Sequence, residues 1–166
     1  MPGMSTLSNL YLDSEPTEVS VRDDQLMVTL ADGRRVTIPL ELVSQLSQAE
    51  PLGRDAQLVI LRHPPRIDHV HITTSALTIY LQDGRILSCP LAWFPRLVHG
   101  APAERDHYEV LGDDDVIHWP ELDEDIDLLR LLEGGASLES DSSIQRWLRS
   151  RHVSATDSLP KIGGHS

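Results

Sequence analysis

Short apolar stretches of this chain alternate with polar residues at a period of two, and the stretches come in pairs. Such alternation predicts β-strands that are buried on one face. In the first pair, Asp32-Gly33 separates the two stretches, and this dipeptide is typical of a type I′ hairpin turn. The alternating apolar positions are Leu26, Val28 and Leu30 before the turn, and Val36, Ile38 and Leu40 after it.

The same arrangement recurs 51 residues later, where Asp83-Gly84-Arg85 matches Asp32-Gly33-Arg34. Aligned without a gap, residues 19–61 and 70–112 are identical at 13 of 43 positions, which predicts an internal duplication. The alternating apolar positions of the second copy are Leu77, Ile79 and Leu81, then Leu87, Cys89 and Leu91. Each copy therefore opens with a β-hairpin.

A short helix and a further strand are predicted after each hairpin. Pro39 and Pro90 end the hairpins because proline cannot donate to a β-ladder. The helical faces comprise Leu42, Val43 and Leu46 in the first copy, and Trp93, Phe94, Leu97 and Val98 in the second. The closing strands are Gln57–Leu61 and His107–Leu111. We expect the two hairpin–helix–strand repeats to pack as a pseudo-symmetric pair that mimics a homodimer.

Two helices are predicted after the second repeat, which makes the fold class α+β. The first has an apolar face formed by Ile126, Leu128, Leu129, Leu131 and Leu132. Asp123 or Glu124 favours its N-terminus, and Gly134-Gly135 ends it. The second runs from Ser142 or Ser143 to about Arg151 and presents Ile144, Trp147 and Leu148. The predicted regions are an N-terminal tail (1–18), a degenerate first repeat (19–66), a full second repeat (67–135), a C-terminal helix (136–152) and a disordered tail (153–166).

The formal charge of −12 is concentrated in one segment. Residues 104–133 hold twelve acidic side chains against Arg105 and Arg130, a net charge of −10. This segment repels a phosphate backbone, which argues against direct nucleic-acid binding and favours a basic protein partner. Cys89 is the one cysteine, so no internal disulfide forms, and no apolar run approaches the length of a bilayer span. A reducing cytoplasm without a membrane partner is the expected setting.

One segment resembles a bacterial family known as domain of unknown function 2442. The resemblance covers about residues 70–134, with the degenerate copy at 19–61. It is carried by Leu81–Arg85, Pro90–Leu97, Ala103–Arg105 and Ile117–Ile126. It implies a small α+β fold without established enzymatic activity. Some members carry a helix-turn-helix or are encoded beside small toxin-like proteins, which implies regulatory or antitoxin-like roles. The first copy lacks the Trp-Phe-Pro and His-Trp-Pro signatures, and no helix-turn-helix is evident.

Candidate chemistry in the sequence is sparse. His118 with Asp123, Glu124 and Asp125 could bind a divalent metal or act in acid–base catalysis. Contiguous carboxylates on a helix point in different directions, so the preferred interpretation is a Trp119-Pro120 turn followed by helix-capping acids. His69 and His71 share a strand face but lack a well-placed third ligand. The expectation is therefore no catalytic residue, no metal and no cofactor.

The preferred hypothesis is a non-catalytic protein-binding module that is regulatory or antitoxin-like. The alternatives are a nucleic-acid-associated regulator that uses the Arg-rich C-terminal helix and a metal-dependent enzyme centred on His118. The candidate partner-binding residues are Trp93, Phe94, His118, Trp119, Asp123, Glu124, Asp125, Trp147 and Arg151. Trp147 could equally pack on its own domain, because helical periodicity does not distinguish an internal from an external partner.

Overall fold

A computed structural model of the chain describes residues 16–43 and 66–157, without Glu133 and Leu138 and without the side chains of 153–157. The chain divides into two compact units, Met1–Ala136 and Ser137–Ser166. The first contains two antiparallel sheets with short helices, and the second contains one long helix. The predicted α+β class is confirmed.

A six-stranded antiparallel sheet forms most of the first unit. Its strands are β1 (Pro16–Arg22), β2 (Gln25–Leu30), β3 (Arg35–Pro39), β4 (Ile67–Ile72), β5 (Ala76–Leu81) and β6 (Ile86–Pro90), in the order β1-β2-β3-β6-β5-β4. Both predicted hairpins form, as β2–β3 and β5–β6. Each gains a preceding strand, so each half of the sheet is a three-stranded meander. Strand β1 begins at Pro16, inside the predicted N-terminal tail, because Val19 and Val21 pair with Val28 and Leu26.

The registers of the two meanders are the same at the offset of 51 residues. Val19 pairs with Val28 in one, and Val70 pairs with Ile79 in the other. Where the meanders meet, Val36 of β3 faces its own counterpart, Leu87 of β6. Exchanging the two strands therefore leaves this central pairing unchanged, as a local twofold axis requires. The symmetry is seen in the strands alone, because the rest of the first predicted helix and the strand Gln57–Leu61 lie outside the described residues.

The two hairpin turns are three-residue loops and not the predicted type I′ turns. Gly33 N donates to Leu30 O (3.1 Å), and Leu30 N donates to Arg34 O (2.8 Å). Gly84 makes the matching bonds with Leu81 and Arg85. Within these two turns only the glycines have positive φ, +94° at Gly33 and +89° at Gly84, whereas a type I′ turn needs positive φ at two residues. The aspartate is instead used as a hydrogen-bond acceptor for the following arginine.

One face of the six-stranded sheet carries the core. Nine apolar side chains on this face are at most 8% exposed, and full burial of such a side chain stabilises a fold by about 1.5–3 kcal/mol. They are Val28, Leu30, Val36, Ile38, Leu77, Ile79, Leu81, Leu87 and Cys89. The predicted core position of Cys89 is thus observed, and burial raises the pKa of its thiol to about 12. The thiol is therefore neutral and poorly nucleophilic at physiological pH.

Short helices follow the second meander. After a 3₁₀ turn at Leu91–Trp93 come α1 (Pro95–His99) and α2 (Pro102–Asp106), each with proline at its start, as predicted for Pro95. Helix α3 (Leu128–Leu132) closes the first unit, and Gly134 follows it at a φ of +84°. The first copy also turns helical at residues 40–43, where its helix was predicted, but its continuation lies outside the described residues.

A three-stranded sheet corrects the prediction for residues 124–127. Its strands are β7 (Glu109–Leu111), β8 (Val116–Trp119) and β9 (Glu124–Asp127), in that order. The predicted helix over Ile126–Leu132 starts only at Leu128, because residues 124–127 alternate buried and exposed and pair with β8. The prediction was wrong because the apolar residues at 126, 128 and 129 fit the period of a helix, although residue 126 lies in a strand.

The second unit contains helix α4 (Asp141–Asp157). The helix extends six residues past the predicted end at Arg151, so the start of the predicted disordered tail is helical up to Asp157. Residues 158–166 of that tail lie outside the described residues. Within α4, Ile144 is buried, whereas Trp147 and Leu148 are partly exposed.

Candidate partner-binding surface

The three-stranded sheet sorts its side chains onto two faces. Residues that alternate along the strands and pair across them share a face. The inner face holds Val110, Ile117, Trp119, Glu124 and Ile126. The outer face, called here the acidic sheet face, holds Glu109, Leu111, Val116, His118, Asp125 and Asp127. It combines three carboxylates and an imidazole with two apolar side chains.

His118 lies at the centre of the acidic sheet face. It pairs across the strands with Glu109 on one side and Asp125 on the other, and its Nδ1 lies 2.6 Å from Asp125 Oδ1. The imidazole is about one-third exposed and the carboxylate of Asp125 about two-thirds. This geometry permits proton exchange with a bound group. The face itself offers no serine, threonine or cysteine for His118 to activate as a nucleophile.

The turn between β8 and β9 is fixed by Arg96 of α1. Arg96 Nη1 donates to Asp123 O (2.8 Å), to Asp123 Oδ2 (2.7 Å) and more weakly to Leu122 O (3.3 Å). Leu122 is fully buried, and Asp123 has a left-handed φ of +50°. The Asp123 carboxylate is thereby held at the surface with 85% of its side chain exposed.

A second histidine–carboxylate pair flanks the same turn. His107 Nδ1 hydrogen-bonds to Glu121 Oε1, and this bond lowers the pKa of the Glu121 carboxyl below its ordinary value. Glu121 therefore stays ionised over a wider acidic range. Together with Asp123, it extends the negative surface from the acidic sheet face around the end of the sheet.

Behind this surface, Trp119 acts as a structural anchor. Its indole Nε1 donates to Arg105 O of α2 (2.9 Å), and its ring lies 6.1 Å from that of Tyr108. The Tyr108 hydroxyl in turn accepts a hydrogen bond from Val70 N of β4 (3.0 Å). The inner face of the small sheet is thus connected to an edge of the large one. Helix α2, which provides Arg105, begins where Glu104 accepts the backbone N–H of Ala101.

The structure separates the candidate partner-binding residues into several groups. Phe94 and Trp119 are 2% and 0% exposed and belong to the core, and Glu124 faces inward. Trp93 is partly exposed on the 3₁₀ turn. His118 and Asp125 are brought together on the acidic sheet face, with Asp123 on the adjoining turn. Trp147 and Arg151 lie in the second unit, where the Arg151 guanidinium is 4.8 Å from the Trp147 ring centroid.

Four members of the acidic sheet face escaped the sequence prediction. Asp127 was not singled out because residues 126–132 were interpreted as one helix. Glu109, Leu111 and Val116 were not singled out because their common face depends on the pairing of β7 with β8. The alternation in Glu124-Asp125-Ile126-Asp127, placed beside Val116-Ile117-His118-Trp119, was the signal that could have identified them.

Two features are absent from the part of the chain that the structure describes. Across residues 16–43 and 66–157, no group of three or more histidine, cysteine, aspartate or glutamate side chains is arranged to hold a metal ion. In the same ranges, no helix combines the length and apolar character that a membrane-spanning helix requires.

The match to a known family lies in the second repeat and the residues directly after it. Residues 67–137 match the family model described as protein of unknown function (DUF2442). The predicted resemblance to this family is therefore confirmed, for less than half of the chain. No curated protein matches the chain. A solved structure, a protein of unknown function from Rhodospirillum rubrum, is 20% identical, covers 49% of this chain and 99% of its own, and superposes with a TM-score of 0.42.

Proposed function

We propose that this protein is a non-catalytic binding module whose acidic sheet face receives a basic segment of a partner protein. The observation that carries the proposal is the composition of that face. Glu109, Asp125 and Asp127 flank two at least partly exposed apolar side chains, Leu111 and Val116, on a hydrogen-bonded sheet. The family resemblance supports a regulatory or antitoxin-like role for such a module.

The charges determine the chemistry of the partner. Glu121 and Asp123 continue the negative surface at the turn, so the field attracts Lys and Arg over a distance set by the salt concentration. Such complementarity mainly raises the association rate and selects a partner of positive charge. A desolvated contact must also supply affinity, and Leu111, at 43% exposed, is the apolar side chain available for it.

Two carboxylates of the acidic sheet face can be replaced by amides without loss of the structural contacts that they make. Asp127 Oδ1 accepts the backbone N–H of Arg130 (2.9 Å) and so caps the start of α3. Asparagine caps helices about as well as aspartate, so Asp127→Asn removes the charge and keeps the cap. Asp125 is two-thirds exposed, so Asp125→Asn disturbs no core contact.

The test uses labelled peptides of one length in which Lys or Arg alternates with Val or Leu, with a Glu-containing peptide as the matched control. We expect fluorescence anisotropy to show binding of the basic peptides that weakens with salt. The double variant Asp125→Asn/Asp127→Asn should weaken binding by about tenfold. A matched control, Asp24→Asn/Asp68→Asn, removes the same charge from exposed positions of the large sheet and its turns and should change binding little.

Three results would count against the proposal. The first is no binding of any basic peptide at low salt. The second is equal weakening by the two double variants, since attraction would then depend on net charge and not on the acidic sheet face. The third is unchanged binding by Leu111→Ala, because the apolar contact would then contribute nothing.

A second candidate is a nucleic-acid-associated regulator that uses helix α4. The observation that favours it is the exposure of Arg146 and Arg149, with Arg151 stacked over Trp147. Filter binding of duplex and single-stranded DNA at low salt tests it, because a basic helix binds through phosphate contacts. Retention that is lost in Arg146→Ala/Arg149→Ala would support this function, and no retention would eliminate it.

A further inference from the structure

Strand β1 is an outer edge of the six-stranded sheet and carries exposed apolar side chains. Val19 is 49% and Val21 58% exposed, although both lie on the face that holds the core in the neighbouring strands. An edge strand of this kind presents unpaired backbone N–H and C=O groups to solvent. Natural sheets usually protect such edges with charge, proline, a bulge or a covering segment. In β1 the proline and the bulge lie at Pro16 to Glu18, before the two valines.

The opposite edge, β4, is covered by neighbouring segments. Val70 N donates to the Tyr108 hydroxyl (3.0 Å), and Ile67 N donates to Asp114 O (2.7 Å). Both bonds leave the sheet on the side away from β5. Because β1 has the register of β4, Val19 corresponds to Val70, and its N–H points away from β2. The same direction holds for Val21, two residues further along the strand.

The sequence of β1 is complementary to itself in the antiparallel direction. If Ser20 lies on a twofold axis, Val19 of one copy faces Val21 of the other, and both have outward N–H and C=O groups. Glu18 then faces Arg22 of the second copy, twice by symmetry. Moving the axis to Val21 would place Glu18 opposite Asp24, so the Ser20 register is the one that matches the charges.

We propose that β1 pairs with β1 of a second copy of this chain, centred on Ser20, and joins two six-stranded sheets into one continuous sheet. The two Val19–Val21 pairs supply the ladder hydrogen bonds and cover each other's exposed apolar surface. The two Glu18–Arg22 pairs select this register and this partner. The arrangement uses the large sheet and does not depend on the function proposed for the small one.

Charge reversal tests this interface by restoring dimerisation as well as by weakening it. We expect sedimentation equilibrium of the full chain to show a monomer–dimer equilibrium, in the micromolar range that is ordinary for a small interface. Glu18→Arg places Arg opposite Arg22, and Arg22→Glu places Glu opposite Glu18. Each single variant should raise the dissociation constant at least about tenfold.

The decisive arms restore the complementarity. The double variant Glu18→Arg/Arg22→Glu should dimerise again, and an equimolar mixture of the two single variants should form a heterodimer. Asp68→Arg on the β4 edge is the matched control and should leave the equilibrium unchanged. Hydrogen exchange adds a local readout, because the Val19 and Val21 amides should become protected as concentration rises.

The outcomes separate the alternatives. A protein that stays monomeric at about 100 μM, well above the expected dissociation constant, overturns the proposal. A dimer that neither single variant weakens overturns it as well, because the interface would then lie elsewhere. Single variants that are folded by circular dichroism and monomeric alone, but dimeric when mixed, would establish the paired β1 strands.

Discussion

The two Asp-Gly-Arg turns have the same local structure and different surroundings. In each, the arginine Nε lies 2.7 Å from the aspartate Oδ2, and its backbone N–H donates to Oδ1 at 3.0 Å. The Arg34 side chain is 1% exposed and its Nη1 also donates to Leu132 O (2.6 Å) at the end of α3. The Arg85 side chain pairs with Asp83 and remains 15% exposed.

The difference arises from the elements that come after each repeat. The second repeat continues into β9 and α3, and the end of α3 lies on the turn of the first repeat. Arg34 therefore satisfies carbonyls that a helix end leaves without partners. The aligned part of the first repeat ends five residues before β4 (residues 62–66), which is too short a segment for a counterpart of β9 and α3. A repeated motif thus retained its geometry while only one copy acquired a buried role.

The largest expected effect is at Arg34. Arg34→Ala should destabilise the protein by about 3 kcal/mol, because it leaves the Leu131 and Leu132 carbonyls and the Asp32 carboxylate without their cation. Arg85→Ala should cost about 0.5–1 kcal/mol, since only a partly exposed pair is lost. Urea denaturation followed by circular dichroism measures both values. Equal costs would mean that the contact with α3 contributes nothing.

The turn glycines provide a smaller test of the same comparison. Gly33→Ala and Gly84→Ala both force an alanine into a left-handed conformation, which costs about 1–2 kcal/mol. An added Cβ would lie 2.9 Å from Pro90 at Gly33 and 3.1 Å from Pro39 at Gly84. We therefore expect similar losses at the two sites, slightly larger at Gly33. Chemical denaturation of both variants checks this, and a neutral substitution at either site would contradict the assigned turn.

The edge strands give the next contrast. Tyr108→Phe removes the acceptor for Val70 N and should cost about 1 kcal/mol. It should also increase amide hydrogen exchange at Val70 without changing exchange at Val19 on the other edge. Because the ring itself remains beside Trp119, the packing of the small sheet serves as an internal control. Unchanged exchange at Val70 would show that the hydroxyl does not protect β4.

The smallest effect concerns pH at the second turn. Burial alone would raise the pKa of the Asp83 carboxyl, but the hydrogen bonds and charge of Arg85 outweigh it, and the pKa lies below its ordinary value of 3.8. The ionised Asp83 carboxylate therefore makes its complete contribution to the free energy of unfolding above the unfolded-state pKa. This contribution is lost as pH falls through the folded-state pKa. Asp83→Asn should be less stable than the native protein at neutral pH, with the difference shrinking below about pH 4. Urea midpoints at both pH values test this.

The sequence predicted those parts of the fold that depend on local periodicity. Leu26, Val28 and Leu30 have the period of a strand and lie in one, and Pro95 begins a helix as its fixed φ favours. The repeat offset predicted which strands would correspond. The predicted type I′ turn was wrong, because Asp-Gly is compatible with more than one hairpin loop and the choice depends on where the aspartate side chain bonds.

The candidate surface was harder to predict because it depends on pairing between strands. Trp119 and Phe94 were assigned to a surface, but the Trp119 side chain is buried with its indole N–H bonded to Arg105 O, and the Phe94 ring lies in the core. Asp127 was hidden inside a predicted helix although it belongs to the strand that precedes it. His118 and Asp125 were both named from the sequence and lie together, yet their neighbour Glu109 becomes visible only when β7 and β8 are in register.

The meeting of β3 and β6 also has consequences for how the chain folds. Each meander closes short loops, so it should form quickly, whereas the β3–β6 pairing joins residues 51 apart and must overcome a larger loop-closure entropy. Docking of two preformed meanders is therefore the expected slow step. Since β3 and β6 occupy equivalent positions in the two repeats, β3 of one chain can also pair with β6 of another. At high concentration during refolding, the central pairing is where strand exchange between molecules would begin.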